Sequence, residues 1–264
     1  MLTEAKKQFR VSKLSIKYAL MKEMLNKTTF LSNIIFMILN NASFIIQWII
    51  IYSLKDNIGG YTIKEILLLW GIAASTFGFS RFFFKNAFSL SDTILNGKLD
   101  AYLVQPKNVL LSAITSDVSP SALGDMIYGI IMLIIYGFTI KSFLLFIIFS
   151  IFGGLIVVSI SVIFSSLSFW FNKSDLLAET MNSLMVNFAT YPDTIFKGAA
   201  KVMLYTIVPV GISTYLPVHL IIDFDISLLL IFICVSILLV IVSFIIFNKG
   251  LKRYSSSNLM IARI

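Results

Sequence analysis

Few residues of this sequence could do chemistry, and most of them lie inside or beside long apolar runs. Asn33, Asn40 and Gln47 recur every seven residues, with Asn41 and Ser43 among them. Seven residues is nearly two turns of an α-helix, so the three amides form one stripe on a helix through that run. Amides are costly against lipid, so the stripe is expected to face protein or a polar cavity. Two roles fit it: glue between helices, or the lining of a path for a solute. Arg81 and Lys85 stand one turn apart at the end of a second run, Asp125 lies about one turn inside a third, and Glu179 near the start of a fifth. Charges at membrane depth are expensive unless they pair or reach the headgroups. Arg81 and Asp125, at similar depth on neighbouring spans, are expected to form an ion pair, with a packing and topology role. A proton or ion pathway would call for a carboxylate nearer the bilayer midplane.

Catalysis has little to draw on. The only histidine, His219, sits beside Pro217 with Asp223 and Asp225 close in sequence, and one imidazole without a second is a poor start for a metal or acid/base site. No phosphate-binding G-x-x-x-x-G-K-[ST] loop, H-E-x-x-H pair or G-x-S-x-G elbow occurs. No catalytic, cofactor-binding or metal-binding residue is therefore expected in this chain. The lone cysteine, Cys234, lies in an apolar run, where packing is its expected role, and no intramolecular disulfide is possible.

The elements that carry these residues are set by composition. Of 264 residues 58% are hydrophobic and only 13% charged, against roughly a quarter charged in a soluble domain. Each bilayer crossing needs about 20 mostly apolar residues. The runs at 30–54, 65–84, 121–140, 142–171, about 176–190 and 226–247 give six expected transmembrane helices in an all-α membrane protein. The fifth is short. The stretch that follows it, 191–222, is broken by Pro192, Pro209, Gly211 and Pro217, which predicts short helices re-entering the membrane from outside before the last span. In the fourth run Gly153, Gly154, Ser159, Ser161, Ser165, Ser166 and Ser168 allow close helix approach, which packing explains.

Residues 1–29 carry seven Lys or Arg, with Leu14, Tyr18, Met21 and Leu25 on one helical face. They predict an amphipathic helix lying on the cytosolic membrane surface rather than a signal peptide. With the amino terminus inside, sixteen of the 21 Lys and Arg residues fall on the cytosolic side and five outside. The positive-inside rule selects that orientation, with both termini cytosolic. The net charge of +8 is then read as attraction to lipid headgroups, and no nucleic-acid partner is expected. No linker divides the chain, so 1–264 is expected to be a single membrane domain: interface helix 1–29, spans one to four over 30–171, and spans five and six over 172–264.

The cytosolic stretch 85–120 is long for a helix connector. Phe88, Ser91, Ile94 and Leu95 predict an amphipathic helix ended by Gly97 in a C-cap role, and LDAYLVQ a second short helix before Pro106. A partly apolar segment projecting into the cytosol from a chain with no energy source of its own suits a docking surface for a motor.

Three motifs carry a family resemblance: G-x-L-D-x-x-L-x-x-P at Gly97, Leu99, Asp100, Leu103 and Pro106; the YP…F…P…P pattern at Tyr191, Pro192, Phe196, Pro209 and Pro217; and GLKRYSS from Gly250 to Ser256. In their order and spacing they make the chain similar to the ABC type 2 (ABC-2) permeases, in particular a bacterial branch, over nearly its whole length. The resemblance implies a permease subunit of an ATP-driven exporter in the bacterial cytoplasmic membrane. It implies two copies of a separate ATPase, which would hold the ATP and Mg, and a second permease as homodimer or heterodimer. Coupling to the ATPase would fall on the segment from Asp92 to Pro106, and an outer re-entrant gate on Tyr191 to Pro217. Two other readings are a secondary transporter or channel, which would show inverted repeats and midplane charges, and a membrane enzyme, which would need titratable residues clustered at one depth.

Overall fold

The computed structural model describes residues 2–55, 57–171 and 174–255. Lys173 and the tail from 256 onward, which the topology above puts in the cytosol, lie outside the described residues, as does Ser256 of the third motif. The described chain is all helix apart from turns and one isolated bridge between Ile58 and Tyr61.

Helix α1 (Leu2–Glu23) is followed by a short turn in which the Asn26 side chain accepts a hydrogen bond from Thr29 N at 3.1 Å, capping α2 (Lys27–Leu54). Such caps satisfy amides that have no partner inside the helix. Thr62 and Glu65 form a reciprocal capping box that starts α3 (Ile63–Phe84). A 3-10 turn, Lys85–Ala87, then leads into α4 (Leu90–Leu95). Gly97 ends α4 with φ +70°, a left-handed conformation that favours glycine, as the sequence predicts. Two short helices, α5 (Asp100–Leu103) and α6 (Val109–Ile114), complete the connector, and α6 was not foreseen. Beyond them come α7 (Ser121–Gly137), α8 (Ile140–Ser166) and α9 (Ser174–Ala189). The proline-rich stretch folds as α10 (Ala199–Thr206), a π-helical turn Gly211–Tyr215 and α11 (Leu216–Ile222), the two halves bent by 77°. Last comes α12 (Ile226–Leu251), capped by Asp225.

Four helical stretches among the described residues are long and apolar enough to cross a membrane: Lys27–Leu54, Ile63–Leu95, Ile140–Phe169 and Ile226–Leu251. The bent pair adds a fifth only if it is counted as one span. Two of the six expected crossings are too short to count among these, the third because its helix stops before its apolar run does and the fifth because it is as short as its run suggests. Helices α7 and α9 have 17 and 16 residues, about 24 to 26 Å of helix against a hydrocarbon core of about 30 Å.

Small residues set how closely the spans approach. Helices α3 and α7 cross at Gly71, Gly78 and Gly129, where a Cβ on Gly129 would stand 2.5 Å from the Gly71 carbonyl oxygen. In α8, a Cβ on Gly153 would lie 2.8 Å from the Ser213 carbonyl oxygen of the π-helical turn. Lipid is as apolar as leucine, so close van der Waals contact and buried hydrogen bonds hold such helices together. One such bond joins Ser161 of α8 to Asn182 of α9 at 2.6 Å.

A second core gathers around the connector between α3 and α7. It holds Leu90 and Ile94 of α4, Leu99 just before α5, Leu110 and Ile114 of α6, and Phe247 of α12. Where water is the alternative environment, burying a large apolar side chain contributes about 1.5 to 3 kcal/mol. Several apolar side chains of α1, among them Phe9, Tyr18 and Met21, are left uncovered by the rest of the chain. Cys234, expected to be packed, is exposed on α12. A residue inside an apolar run can face lipid or protein, and hydropathy does not distinguish the two.

Candidate functional site

Helices α2, α3, α7 and α9 surround a cavity of about 440 Å³. Several residues singled out separately in the sequence line it together: Asn40 and Gln47 of the amide stripe, Arg81 and Asp125 of the expected ion pair, and Tyr191 of the expected outer gate. The stripe works because α2 presents one face to the other three helices over two turns. Asn33, the first amide of the stripe, is half-buried and lies outside the cavity. Between the charged end and Tyr191 the walls carry Phe44, Trp48, Trp70 and Phe77 together with Asn41, Asn187 and Thr190. Phe44 stacks on Trp70 with ring centroids 5.6 Å apart, and Trp48 meets the edge of Tyr191 at 6.0 Å. The result is a chamber with amide groups on two sides, aromatic faces between them and two opposite charges at the end nearer the connector between α3 and α7.

The expected Arg81–Asp125 ion pair is not closed. Asp125 is buried and accepts a hydrogen bond from Asn41 Nδ2 at 2.7 Å, while the Arg81 guanidinium lies 5.4 Å from the centre of the Phe88 ring. Asn41 was noticed only as a neighbour of the stripe, yet its place on α2 directs it at α7 where Gly124 lets the two helices touch. Lys85 turns to Asp117 instead, at 2.6 Å.

A second cluster forms outside the spans. Tyr61 donates to Asp193 Oδ1 at 2.8 Å; His219 Nε2 lies 3.4 Å from Asp193 Oδ2, and Lys201 Nζ lies 3.6 Å from the same oxygen. The carboxylate beside His219 is thus Asp193, distant in sequence, and not Asp223 or Asp225. Burial alone would raise the Asp193 pKa. Hydrogen bonds from His219 and Tyr61, with the charges of His219 and Lys201, outweigh it and hold the carboxyl below its usual range. Pro192, Pro209 and Pro217 are buried, whereas Tyr191 is half exposed at the rim of the cavity.

In the connector between α3 and α7 the motif residues divide by exposure. Leu99 is fully buried in the second core, so it anchors α5 from beneath and is unavailable to a partner, contrary to the role the resemblance gave it. Leu103 is 42% exposed and Val104, not singled out in the sequence, 84%. Asp92, Asp100 and Pro106 are also exposed. Asp92 is held by Lys98 at 2.7 Å, and Asp100 accepts from the hydroxyl of Tyr254, just past α12, at 2.9 Å. Among the described residues no group of three His, Cys, Asp or Glu could hold a metal.

The long apolar helices and the polar chamber between them define a multi-pass helical membrane protein. A family model described as ABC-2 family transporter protein matches residues 16–258, and the chain belongs to that family. No curated protein and no solved structure matches it.

Proposed function

We propose that this chain is the membrane-spanning permease of an ATP-driven exporter in the bacterial cytoplasmic membrane. It spans the bilayer six times, through α2, α3, α7, α8, α9 and α12, with both termini in the cytosol. The sixteen-to-five distribution of Lys and Arg supports that orientation. The bent pair α10–α11 turns back without crossing. Asp193, before α10, meets His219, near the end of α11, so both ends of the segment come to one side. The short α7 and α9 are accommodated by local thinning of the bilayer.

The observation that carries the reading is the cytosolic connector. Helices α4 and α5 are welded by the second core to α8 and α12, and they present Leu103 and Val104 outward. A rigid base under an exposed apolar tip suits a part that receives force from a docked protein. Two ATPase subunits, holding ATP and Mg, would dock there in a complex with a second permease chain. Asp92, Gly97, Asp100 and Pro106 would shape the docking surface, and Leu99 would hold it in place. Nucleotide-driven closure of the ATPases would tilt α4 and α5, and the movement would reach the chamber, whose outer end is closed by Tyr191 and the segment through Pro217.

The test is purification of the full chain from membranes with a Leu103→Asp, Val104→Asp variant beside it. A P-loop ATPase recovered with the first and lost with the second is expected. No ATPase with either would overturn the reading and favour a transporter or channel without a motor.

A further inference from the structure

This inference rests on the permease reading and concerns what the chamber holds. Arg81 and Asp125 line one cavity without forming an ion pair, although Asp125 is only 8% exposed. Asp125 Oδ1 is engaged by Asn41, and Oδ2 has no hydrogen-bond partner among the described residues. Opposite charges kept apart in a region of low dielectric are each poorly compensated, and direct pairing would be the simplest remedy. A ligand that presents a cation to one and an anion to the other supplies the same compensation.

The rest of the cavity narrows the ligand further. Its body is aromatic, with Phe44, Trp70 and Phe77 in the walls, so the ligand carries an apolar portion. Asn40 and Gln47, on the exposed side of α2, form its rim at membrane depth, so a molecule already dissolved in the bilayer reaches it sideways. We propose that the chamber takes a bilayer-resident zwitterionic amphiphile. Its ammonium group sits on Asp125, its phosphate or carboxylate on Arg81, and its apolar body along the aromatic wall.

Two of the three tryptophans, Trp48 and Trp70, line the cavity, which makes binding directly visible. The full chain carrying Trp170→Phe is placed in phosphatidylglycerol nanodiscs and titrated with three chain-brominated probes that quench tryptophan. The probes are lysophosphatidylethanolamine, its N-acetylated anionic form and an alkyltrimethylammonium. The zwitterion is expected to quench saturably and to bind about tenfold or more tighter than either single-charge probe. Asp125→Asn and Arg81→Gln should each erase that preference. Equal affinities for the three probes, or quenching that never saturates, would overturn the proposal, and this comparison needs no variant at either charge. ATPase recovery is scored on the same membranes. Recovery without headgroup preference sinks the ligand assignment alone, and preference without any ATPase sinks the permease reading alone.

Discussion

Tyr61 donates its phenolic hydrogen to Asp193 Oδ1 at 2.8 Å, across a sequence separation of 132 residues. The bond ties the loop between α2 and α3 to the start of the bent pair, and Tyr52 secures it from below by donating to the Tyr61 carbonyl oxygen at 2.7 Å. With His219 and Lys201 on the other carboxylate oxygen, Asp193 closes both ends of the α10–α11 hairpin onto the loop between α2 and α3.

Replacing Asp193 with Asn should therefore loosen the hairpin. The expected loss at neutral pH is about 1 to 3 kcal/mol, the usual range for breaking a buried hydrogen-bonded partnership. The Asp193 pKa is depressed in the folded protein, so its contribution is present in full above the ordinary carboxylate range and is lost as pH falls through the lowered value. Thermal unfolding in detergent should show wild type and variant well separated at pH 7 and converging at strongly acidic pH. A gap that stays constant with pH would show that ionisation of Asp193 contributes nothing.

Tyr254 fastens the last helix to the α3–α7 connector through Asp100. Burial first, and then the Asp100 carboxylate, push its pKa up to about 12, so it remains a protonated donor at any physiological pH. Tyr254→Phe should leave ATPase recovery intact while amide exchange over residues 98–106 quickens about fivefold, the equivalent of one ordinary hydrogen bond of about 1 kcal/mol. Unchanged exchange would show that the bond does not hold α5.

Leu99 and Val104 are five residues apart and should respond oppositely to a charge. Leu99→Asp places a carboxylate among Leu90, Ile94, Leu110 and Phe247, and burying an unpaired charge costs several kcal/mol. Folded protein should be largely lost, as read by size-exclusion chromatography in detergent. Val104→Asp should yield folded protein with weaker ATPase recovery, because that side chain is 84% exposed.

The α3–α7 crossing should tolerate no side chain at Gly129. Gly129→Val forces the helices apart where a Cβ already meets Ser75 and the Gly71 carbonyl, and overpacking of this kind costs about 1 to 3 kcal/mol. Ile134→Ala, on the exposed face of the same helix, should shift the melting temperature far less. Equal shifts would mean that this crossing does not limit stability.

Much of the architecture was legible in the sequence. The long apolar runs, the basic first helix, the stop at Gly97 and the break at the prolines each depend on neighbours within a few residues. Helix length was less legible at α7, which stops at Gly137 although its apolar run continues to residue 140. The chamber was legible only in fragments. Asn40, Gln47, Arg81, Asp125 and Tyr191 each stand out by residue type and position, but nothing local indicates that they share one space. The contacts at Gly71, Gly78, Gly124 and Gly129 that bring the walls together leave only one trace in the sequence, small residues spaced along two apolar runs.

Hydropathy and turn chemistry, which are local properties, determined from sequence alone that the chain is a helical membrane protein with a long connector between its second and third apolar runs, and three motifs carried its resemblance to the ABC-2 family. The tertiary structure decided which way each helix faces. That rotation gave Asp125 to Asn41 rather than Arg81, brought Asp193 to His219 and turned Leu99 inward. It is set by where small side chains on separate helices let backbones touch, a property of helix pairs that neither helix carries by itself.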